Sequence, residues 1–251
     1  MKKQQEEKQI IDIDDFHEYV SLNNIIDAGG DAVAKLKKIA DSFQFDQYNQ
    51  LVRFPTLLIT GQGQGKSTLA KAFLNSLCLE VKEIDASLIN SANRIIEFFW
   101  ASHPDRAYIL TNVENLPTLF HKTLYEILQK HEYTILNQYS GSETRYPVSS
   151  VIVMTTSDFL KVPSPLLKHT HYIINHTEHD NERRELIAIQ RFRNANVRYS
   201  QQGIKKIVKE TPNLKSMIDM VRMCLDIVKS DYRDNLTIED VSKAIKLMYG
   251  D

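Results

Sequence analysis

Residues 57–68 read Leu57-Leu58-Ile59-Thr60-Gly61-Gln62-Gly63-Gln64-Gly65-Lys66-Ser67-Thr68. This segment passes from an apolar, strand-like run through a glycine-rich turn into a helix. Glycines let such a turn bring several backbone N–H groups onto one anion, and the helix that follows adds the positive end of its dipole. Phosphate is the natural ligand of this arrangement. The segment therefore predicts a phosphate-binding loop between a strand and a helix.

The polar residues of this loop have distinct chemical roles. Lys66 would reach the outer phosphates of a nucleotide as a point charge, and the Ser67 hydroxyl would ligate Mg²⁺. The usual pattern starts with glycine where this chain has Thr60, but the later glycines and the Gly65-Lys66-Ser67 triplet remain. We predict that residues 60–68 bind the phosphates of a nucleotide together with Mg²⁺. The alternative is an ordinary glycine turn at the start of a helix.

Short apolar runs alternate with helical patterns on both sides of this loop. The runs predict strands at residues 56–60, 80–85, 107–111, 150–155 and 171–174, and the patterns between them predict helices at 66–77, 87–100 and 117–130. Strands separated by helices indicate a parallel sheet that is covered on both faces. An amphipathic helix from Asp31 precedes the first strand, and residues 133–146 predict a hairpin whose turn contains Ser140-Gly141-Ser142.

The strand pattern ends at about residue 177, and only helices follow. They are predicted at residues 181–193, 201–209, 214–229 and 238–248, and the last begins at Thr237 with a pattern close to a capping box. We therefore predict a flexible tail at 1–13, an α/β three-layer sandwich with a five-stranded parallel sheet at 14–176, and an all-helical domain at 177–251.

Composition restricts the function classes. With 251 residues and 42% hydrophobic content the chain is long enough to bury a core, and its formal net charge of -1 provides no global attraction to nucleic acid. Cys78 and Cys224 show no metal or disulfide spacing, which predicts a reduced, cytoplasmic setting. No apolar run approaches the roughly 20 residues of a membrane span, and the charged start predicts no signal peptide.

Three further segments carry a family resemblance. They are Tyr108-Ile109-Leu110-Thr111-Asn112-Val113-Glu114-Asn115-Leu116, Val151-Ile152-Val153-Met154-Thr155-Thr156 and Ser164-Pro165-Leu166-Leu167-Lys168. Together with the phosphate loop and in this order, they resemble the AAA+ superfamily and, within it, the RuvB family of branch-migration motors, over roughly residues 14–248.

The resemblance implies roles for several parts of the chain. The hairpin would grip an adaptor, Thr155 or Thr156 would be the polar sensor of the γ-phosphate, and the helical domain would be the lid. The lid residue that faces the phosphates would be Asn213 or Lys215, with Lys215 preferred because it keeps a positive charge. The winged DNA-binding domain of such motors has no counterpart in this sequence, so any contact with DNA would be direct through another surface or would go through a partner.

The chain departs from the family at the residues that perform hydrolysis. These machines need an Asp and a neighbouring Glu at the end of the third strand, where this chain has Thr111 and Asn112. Neither side chain acts as a base at neutral pH, and a positioned base contributes roughly 10² to 10⁴ in rate. Glu114 is the nearest carboxylate. Lys168 stands at the position where such motors have the arginine that a neighbouring subunit normally inserts. Lysine lacks the planar group with which arginine makes two parallel hydrogen bonds.

These observations predict an ATP-binding AAA+ protein of a DNA recombination, repair or replication assembly, with weak or absent hydrolysis. The predicted partners are other AAA+ subunits, in a homo- or hetero-oligomer. A nucleotide-stabilised scaffold or adaptor without catalysis is the alternative, and a slow but genuine ATPase is the third hypothesis.

Three residue groups have competing interpretations. Two histidines on one strand face suggest a zinc site within His169, His171, His176 and His179, but a partly exposed strand end is favoured. Phe98, Phe99 and Trp100 close a predicted helix and could stack on nucleic-acid bases. Aromatic residues at such positions more often belong to the hydrophobic core, which is the favoured interpretation. A basic set is interleaved with acidic residues and predicts a solvated mixed-charge face; its members are Arg183, Arg184, Arg191, Arg193 and Arg198.

Overall fold

A computed structural model describes residues 20–49, 54–100, 102–136 and 141–250. The predicted tail at 1–13, the start of the predicted α/β domain and Ser140 of the hairpin turn lie outside these ranges. The helices are α1 Ala32–Tyr48, α2 Lys66–Ser76, α3 Ala92–Phe99, α4 Thr118–Lys130, α5 Ser164–Lys168, α6 Asn181–Asn194, α7 Gln201–Glu210, α8 Leu214–Ser230 and α9 Ile238–Tyr249. The strands are β1 Thr56–Thr60, β2 Glu80–Asp85, β3 Arg106–Thr111, β4 Glu132–Leu136, β5 Glu143–Pro147, β6 Val151–Thr156 and β7 Tyr172–Asn175.

Five strands form one parallel sheet in the order β2-β3-β6-β1-β7. The predicted five-stranded parallel sheet is therefore confirmed. Strand β1, which leads into the phosphate loop, lies between β6 and β7, with Ile59 opposite Thr155. Because parallel strands all end at the same edge, the ends of β1, β3 and β6 open onto one side of the sheet, where ligands of such folds bind.

The sheet buries a different apolar cluster on each face, as strand side chains alternate between faces. Leu57 and Ile59 of β1 pack with α1 and α2 on one face, and Leu58 packs with α3 and α4 on the other. These strand residues are fully buried. The chain thus has the predicted α/β three-layer arrangement, with the central sheet shielded on both sides.

Helices α6 to α9 enclose a third apolar cluster with Phe192, Met217 and Cys224 at its centre. The predicted cap of α9 is present as a full capping box, since Thr237 and Asp240 each accept a hydrogen bond from the other's backbone N–H. Asp240 also accepts 2.7 and 3.0 Å hydrogen bonds from Arg233. The helical part thus follows the sheet in the sequence and has its own core, and the domain boundary at 176–177 stays a prediction.

Some predicted element bounds were wrong. The helix predicted at 87–100 is a 3₁₀ turn at Ala86–Leu88 followed by α3, because Ser91 accepts a hydrogen bond from Arg94 N and starts a new helix there. Strands β6 and β7 each begin and end one residue later than predicted. Helix α2 ends one residue earlier than predicted, and Cys78 lies after it with a left-handed φ of 56°. No helix among the described residues is long and apolar enough to cross a membrane.

Candidate functional site

The phosphate loop is shaped by glycines that pack against the segment after β7. Gly61 has a φ of +136°, and a Cβ placed on it would lie 1.9 Å from the carbonyl oxygen of His176. A Cβ on Gly63 would lie 2.9 Å from the backbone of Thr177 and Glu178. Only glycine fits at these positions without displacing backbone. The loop conformation is therefore tied to residues 175–178, which lead into α6.

Lys66 is 9% exposed and its ammonium group lies inside the loop. The Nζ atom donates 2.8 Å hydrogen bonds to the carbonyl oxygens of Gly61 and Gly63. Burial lowers the pKa of the Lys66 amine, and the Glu114 carboxylate opposes that shift. A phosphate that entered the loop would add negative charge beside this ammonium group and favour its charged form.

Helix α2 presents an open N-terminus to the same space. Gly65 at its N-cap has a left-handed φ of 106°, and no side chain caps the helix. The N–H groups of the first turn therefore remain for an anion. Ser67 follows Lys66 in that turn and is only partly exposed. These groups together fit a nucleotide triphosphate with Mg²⁺: a lysine, a serine, uncapped N–H groups, and glycines whose surroundings leave no room for a Cβ atom. The Ser67 hydroxyl would help to hold the Mg²⁺.

The loop borders a cleft with a polar and an apolar part. The polar part is lined by Gln64, Gly65, Lys66, Ser67, Thr68, Asn112, Thr155, Ser157, Leu214, Lys215 and Ile218. The apolar part is lined by Val20, Asn24, Ile25, Ile26, Asp27, Ala28, Val33, Gly65, Thr68, Leu69, His176, His179, Ile187, Gln190, Arg191, Leu214 and Ile218. Four residues are common to both parts, so the two adjoin each other. A polar end beside an apolar pocket matches the two halves of a nucleotide.

Thr155 and Thr156 lie at the end of β6 with different surroundings. Thr155 lines the polar part of the cleft. The hydroxyl oxygen of Thr156 instead accepts a hydrogen bond from Asp158 N at 3.1 Å, and its side chain is fully buried. Of the two predicted sensor positions, the structure brings Thr155 to the loop.

Asn213 and Lys215, the two predicted lid positions, also differ in their surroundings. Asn213 caps α8 by accepting a hydrogen bond from Ser216 N. Lys215 lines the cleft, and its backbone N–H donates to the side-chain oxygen of Gln64. The first turn of α8 thus touches the phosphate loop, and of the two residues it is Lys215 that lines the cleft.

The end of β3 has an amide where the resemblance implies an acid. Thr111 is 8% exposed, and its hydroxyl donates to Ile84 O at 3.4 Å. Asn112 has left-handed backbone angles, φ 54° and ψ 45°, and its side-chain amide donates to the Asp85 carboxylate at 2.7 Å. The carboxylate nearest to this strand end therefore belongs to Asp85 of β2, which the sequence interpretation did not single out.

Glu114 lies in the 3₁₀ turn Val113–Asn115 that follows β3. One carboxylate oxygen accepts a 2.9 Å hydrogen bond from Ser157 N, and the other is buried without a hydrogen-bond partner among the described residues. Its charge acts on Lys66, whose pKa it raises. Glu114 thus contributes to the electrostatics of the loop and holds the end of β6.

Lys168 is distant from this cleft. It lines a separate surface depression with Thr118, His121, Lys122, Tyr125 and Pro165. The zinc alternative is not supported, because no group of three or more His, Cys, Asp or Glu side chains that could hold a metal exists within the described ranges. His171 is engaged at β1, where its Nδ1 accepts from Thr56 N at 3.0 Å.

The aromatic residues 98–100 and the set of arginines agree in part with the interpretations favoured from the sequence. Phe99 is fully buried, whereas Trp100 is 52% exposed and packs on Tyr146 of the hairpin at 6.0 Å between ring centroids. Arg183 pairs with Asp180 at the surface. Arg184 is an exception to the predicted solvated face, since it is 7% exposed and donates to backbone oxygens before α8.

His176 and His179 are site residues whose place the sequence did not reveal. His176 Nε2 donates to Gln64 O at 3.1 Å, and His179 Nε2 donates to Ile26 O at 3.2 Å. Burial lowers the pKa of both imidazoles. Both rings line the apolar part of the cleft. Neutral histidines therefore join the phosphate loop and the segment before α1 to the start of α6.

Comparison with known proteins identifies the fold. No protein-family model and no curated protein matches the sequence. Solved structures of Thermotoga maritima RuvB do match. A proline-to-glycine variant has a TM-score of 0.75 at 15% identity, covering 92% of this chain and 73% of that one. The structure titled RuvB Holliday junction branch migration motor has a TM-score of 0.67 at 14% identity, covering 87% and 70%. The chain therefore has the RuvB-like AAA+ fold that its loop and strand motifs predict.

Proposed function

We propose that this chain binds ATP with Mg²⁺ in the cleft and serves as an AAA+ module of a DNA recombination, repair or replication assembly. The observation that carries the proposal is the phosphate loop itself. Its ammonium group and the uncapped N-terminus of α2 lie at the polar end of a cleft that continues into an apolar pocket. The link to DNA rests on the likeness to RuvB, which is described as a Holliday junction branch migration motor.

In this proposal the chain's residues have separate tasks in binding. The loop amides and Lys66 hold the phosphates, Ser67 contributes a ligand for Mg²⁺, and Thr155 and Lys215 contact the outer phosphate. Bound Mg²⁺ supplies charge that neutralises the phosphate oxygens. The nucleotide's base would occupy the apolar part of the cleft beside His176. Weak or absent hydrolysis follows because Asn112 has an amide where hydrolysis needs a general base.

A nucleotide-stabilised scaffold or adaptor is the second candidate. The replacement of the acidic strand motif by Thr111 and Asn112 favours it, as does Lys168 at the arginine position. In that role the chain would bind ATP and assemble with other AAA+ subunits, and it would leave the chemistry to them.

Nucleotide affinity and steady-state ATP turnover test the proposal, each measured with and without DNA for the wild type and Lys66→Ala. Removal of a charge-assisted contact should weaken ATP binding about 100-fold. The matched control is Lys71→Ala in the same helix, which removes a surface ion pair with Glu83. This control should bind ATP like the wild type.

The same measurements separate the candidates. Equal affinity of Lys66→Ala and wild type would refute nucleotide binding at the loop. Turnover above a few per second, lost in Lys66→Ala, would eliminate the scaffold, whereas tight binding without turnover would eliminate the motor. Sizing with ATP adds a second criterion, because ring formation supports a role in an assembly and a strict monomer favours the adaptor.

A further inference from the structure

An acid is absent from the end of β3, but one lies on the adjacent strand. Strands β2 and β3 pair in parallel with Asp85 opposite Thr111, so both end at the cleft edge of the sheet. Asn112 follows Thr111 directly, and its Nδ2 lies 2.7 Å from Asp85 Oδ2. The carboxylate and the amide of this pair therefore occupy the same end of the sheet.

The hydrogen bond determines how the Asn112 amide is oriented. A carboxylate can only accept, so the amino group of the amide must face Asp85. Because the amide is planar, fixing Nδ2 also fixes the carbonyl oxygen. Asn112 lines the polar part of the cleft with Lys66 and Thr155. Its carbonyl oxygen is therefore the acceptor that this side chain offers to a group in the cleft.

Asp85 is itself held in place. Its Oδ1 accepts hydrogen bonds from the backbone N–H of Ser87 at 2.9 Å and from the Ser87 hydroxyl at 2.7 Å. Burial alone would raise the pKa of Asp85, but the hydrogen bonds from Ser87 and Asn112 outweigh burial and lower it. The carboxylate is thus an anion at neutral pH and a permanent acceptor for Asn112.

Glu114 is the competing carboxylate, and its contacts make it the weaker candidate. One oxygen is used by Ser157 N, and the other is buried and out of contact with solvent. A base must reach the attacking water through an accessible oxygen. Asn112 is partly exposed and lines the cleft, and an amide can orient water without removing its proton.

We propose that Asp85 and Asn112 form a transposed hydrolytic pair, in which Asn112 orients the attacking water and Asp85 positions Asn112. This inference rests on the proposed ATP binding. The water oxygen bonds to the γ-phosphorus while the bond from that phosphorus to the β–γ bridging oxygen breaks, and ADP leaves with the electron pair. An amide accepts no proton, so the proton of the water passes to the released phosphate. Water-orienting amides support slow hydrolysis in other nucleotide-binding proteins.

Exchange of the two side chains tests the pair. The double variant Asp85→Asn/Asn112→Asp keeps the hydrogen bond but brings the carboxylate to the cleft, where it can accept the proton. We expect about 100-fold faster single-turnover hydrolysis than in the wild type, within the usual range for a positioned base. The affinity for a non-hydrolysable ATP analogue should stay within about 3-fold of wild type, because the side-chain hydrogen bonds found for Asp85 and Asn112 are to each other and to Ser87, and none is to the phosphate loop.

The single variants distinguish a positioned pair from two independent residues. Asn112→Asp alone brings two carboxylates together, and such a pair retains a proton near neutrality, so its gain should be at most about a tenth of the double variant's gain. Asp105→Asn is the matched control. Asp105 lies before β3, at the other end of that strand, with its side chain 84% exposed. This control should hydrolyse ATP at the wild-type rate. Glu114→Gln serves as a second background: the ratio of the rate with the Asp85/Asn112 exchange to the rate without it should be the same in Glu114→Gln as in the wild type.

The outcomes separate this inference from the proposed function. A double variant that binds the analogue but is no faster than wild type overturns the pair, as does a gain that Asn112→Asp alone reproduces. Loss of the gain in Glu114→Gln would assign the base to Glu114. A wild-type chain that fails to bind the analogue overturns the proposed function instead. If thermal melting shows the double variant to be unfolded, Asp85→Ala decides: a rate about 10-fold below wild type supports the pair, and an unchanged rate refutes it.

Discussion

The phosphate loop and the carboxyl end of β3 lie at the same edge of one sheet, yet they differ in what they retain. Apart from Thr60, the loop has the glycines, the lysine and the serine of the usual pattern, and its ammonium group and uncapped helix end are in place. The end of β3 keeps its buried strand but has Thr111 and Asn112 where the resemblance expects carboxylates. The proposed binding and any hydrolysis would therefore depend on different elements of this fold.

A second difference concerns how each region is supported. The loop is held by residues that are far away in the sequence, because Gly61, Gly63 and Gln64 contact the segment after β7. The end of β3 is supported by its neighbours, since Asp85 fixes Asn112 and Ser157 fixes Glu114. Changes in the loop should consequently affect stability and binding together, whereas changes at β3 should affect turnover.

The largest effect is expected for Gly61→Ala. The added Cβ would meet the His176 carbonyl oxygen at 1.9 Å, and φ is +136°. Strain and overpacking should together lower the free energy of unfolding by about 3 kcal/mol or more, measured by urea denaturation. The control is Gly141→Ala, with φ +66° and nothing within 4 Å of the new Cβ, which should lose about 1 kcal/mol. Similar losses in both variants would show that the contact with His176 does not constrain the loop.

The fold could be predicted because its signals are local. The apolar runs at 57–59 and 151–154 are short and bounded by turn residues, and helical periodicity follows each glycine or proline break. Errors remained where two short elements were read as one, as at Ala86–Leu88 and α3. There the decisive signal was the side-chain cap of Ser91, a single residue within an apparently continuous pattern.

The candidate site was only partly predictable because its remaining contacts are long-range. Asp85 and Asn112 are 27 residues apart in the chain, and His176 and Gln64 are 112 apart. Strand order brings these pairs together, and a single sequence does not specify strand order. The loop residues could be singled out from the sequence because the phosphate-binding pattern occupies consecutive positions. Sequence left Thr155 and Thr156 equivalent, and the structure brings only Thr155 to the cleft.

Ser67→Ala tests the metal contribution of the loop. Loss of one oxygen ligand should weaken ATP binding about 10-fold when Mg²⁺ is present and leave binding in EDTA nearly unchanged. Titration calorimetry with and without Mg²⁺ measures both values. Ser230→Ala removes an exposed hydroxyl that donates to Ile227 O and should change neither. An equal loss in EDTA would mean that Ser67 acts on phosphate binding and not through the metal.

The stability that comes from the contact between the phosphate loop and residues 175–178 should depend on pH. Burial lowers the pKa of His176 and His179 in the folded chain, so the unfolded chain binds protons more readily. Stability is therefore complete above the unfolded histidine pKa of about 6.5 and declines as pH falls below it. Urea midpoints at pH 7.5 and 5.5 measure this decline. It should be smaller in His176→Gln, which stays neutral, and unchanged in His103→Gln, which alters an exposed side chain. If His176→Gln retains the full decline, His176 is not its source.

Lys215→Ala should have the smallest effect, because the side chain is exposed and its attraction to phosphate is screened by water. We expect about 3-fold weaker ATP binding at low salt, a smaller difference at higher salt and an unchanged free energy of unfolding. Asn213→Ala should show the opposite behaviour, since loss of the α8 cap lowers stability by about 1 kcal/mol. Fluorescent-nucleotide titration and urea denaturation of both variants measure these quantities. If the affinity loss of Lys215→Ala persists at high salt, or if Asn213→Ala weakens binding more than Lys215→Ala does, the first turn of α8 acts through its backbone geometry rather than through the lysine charge.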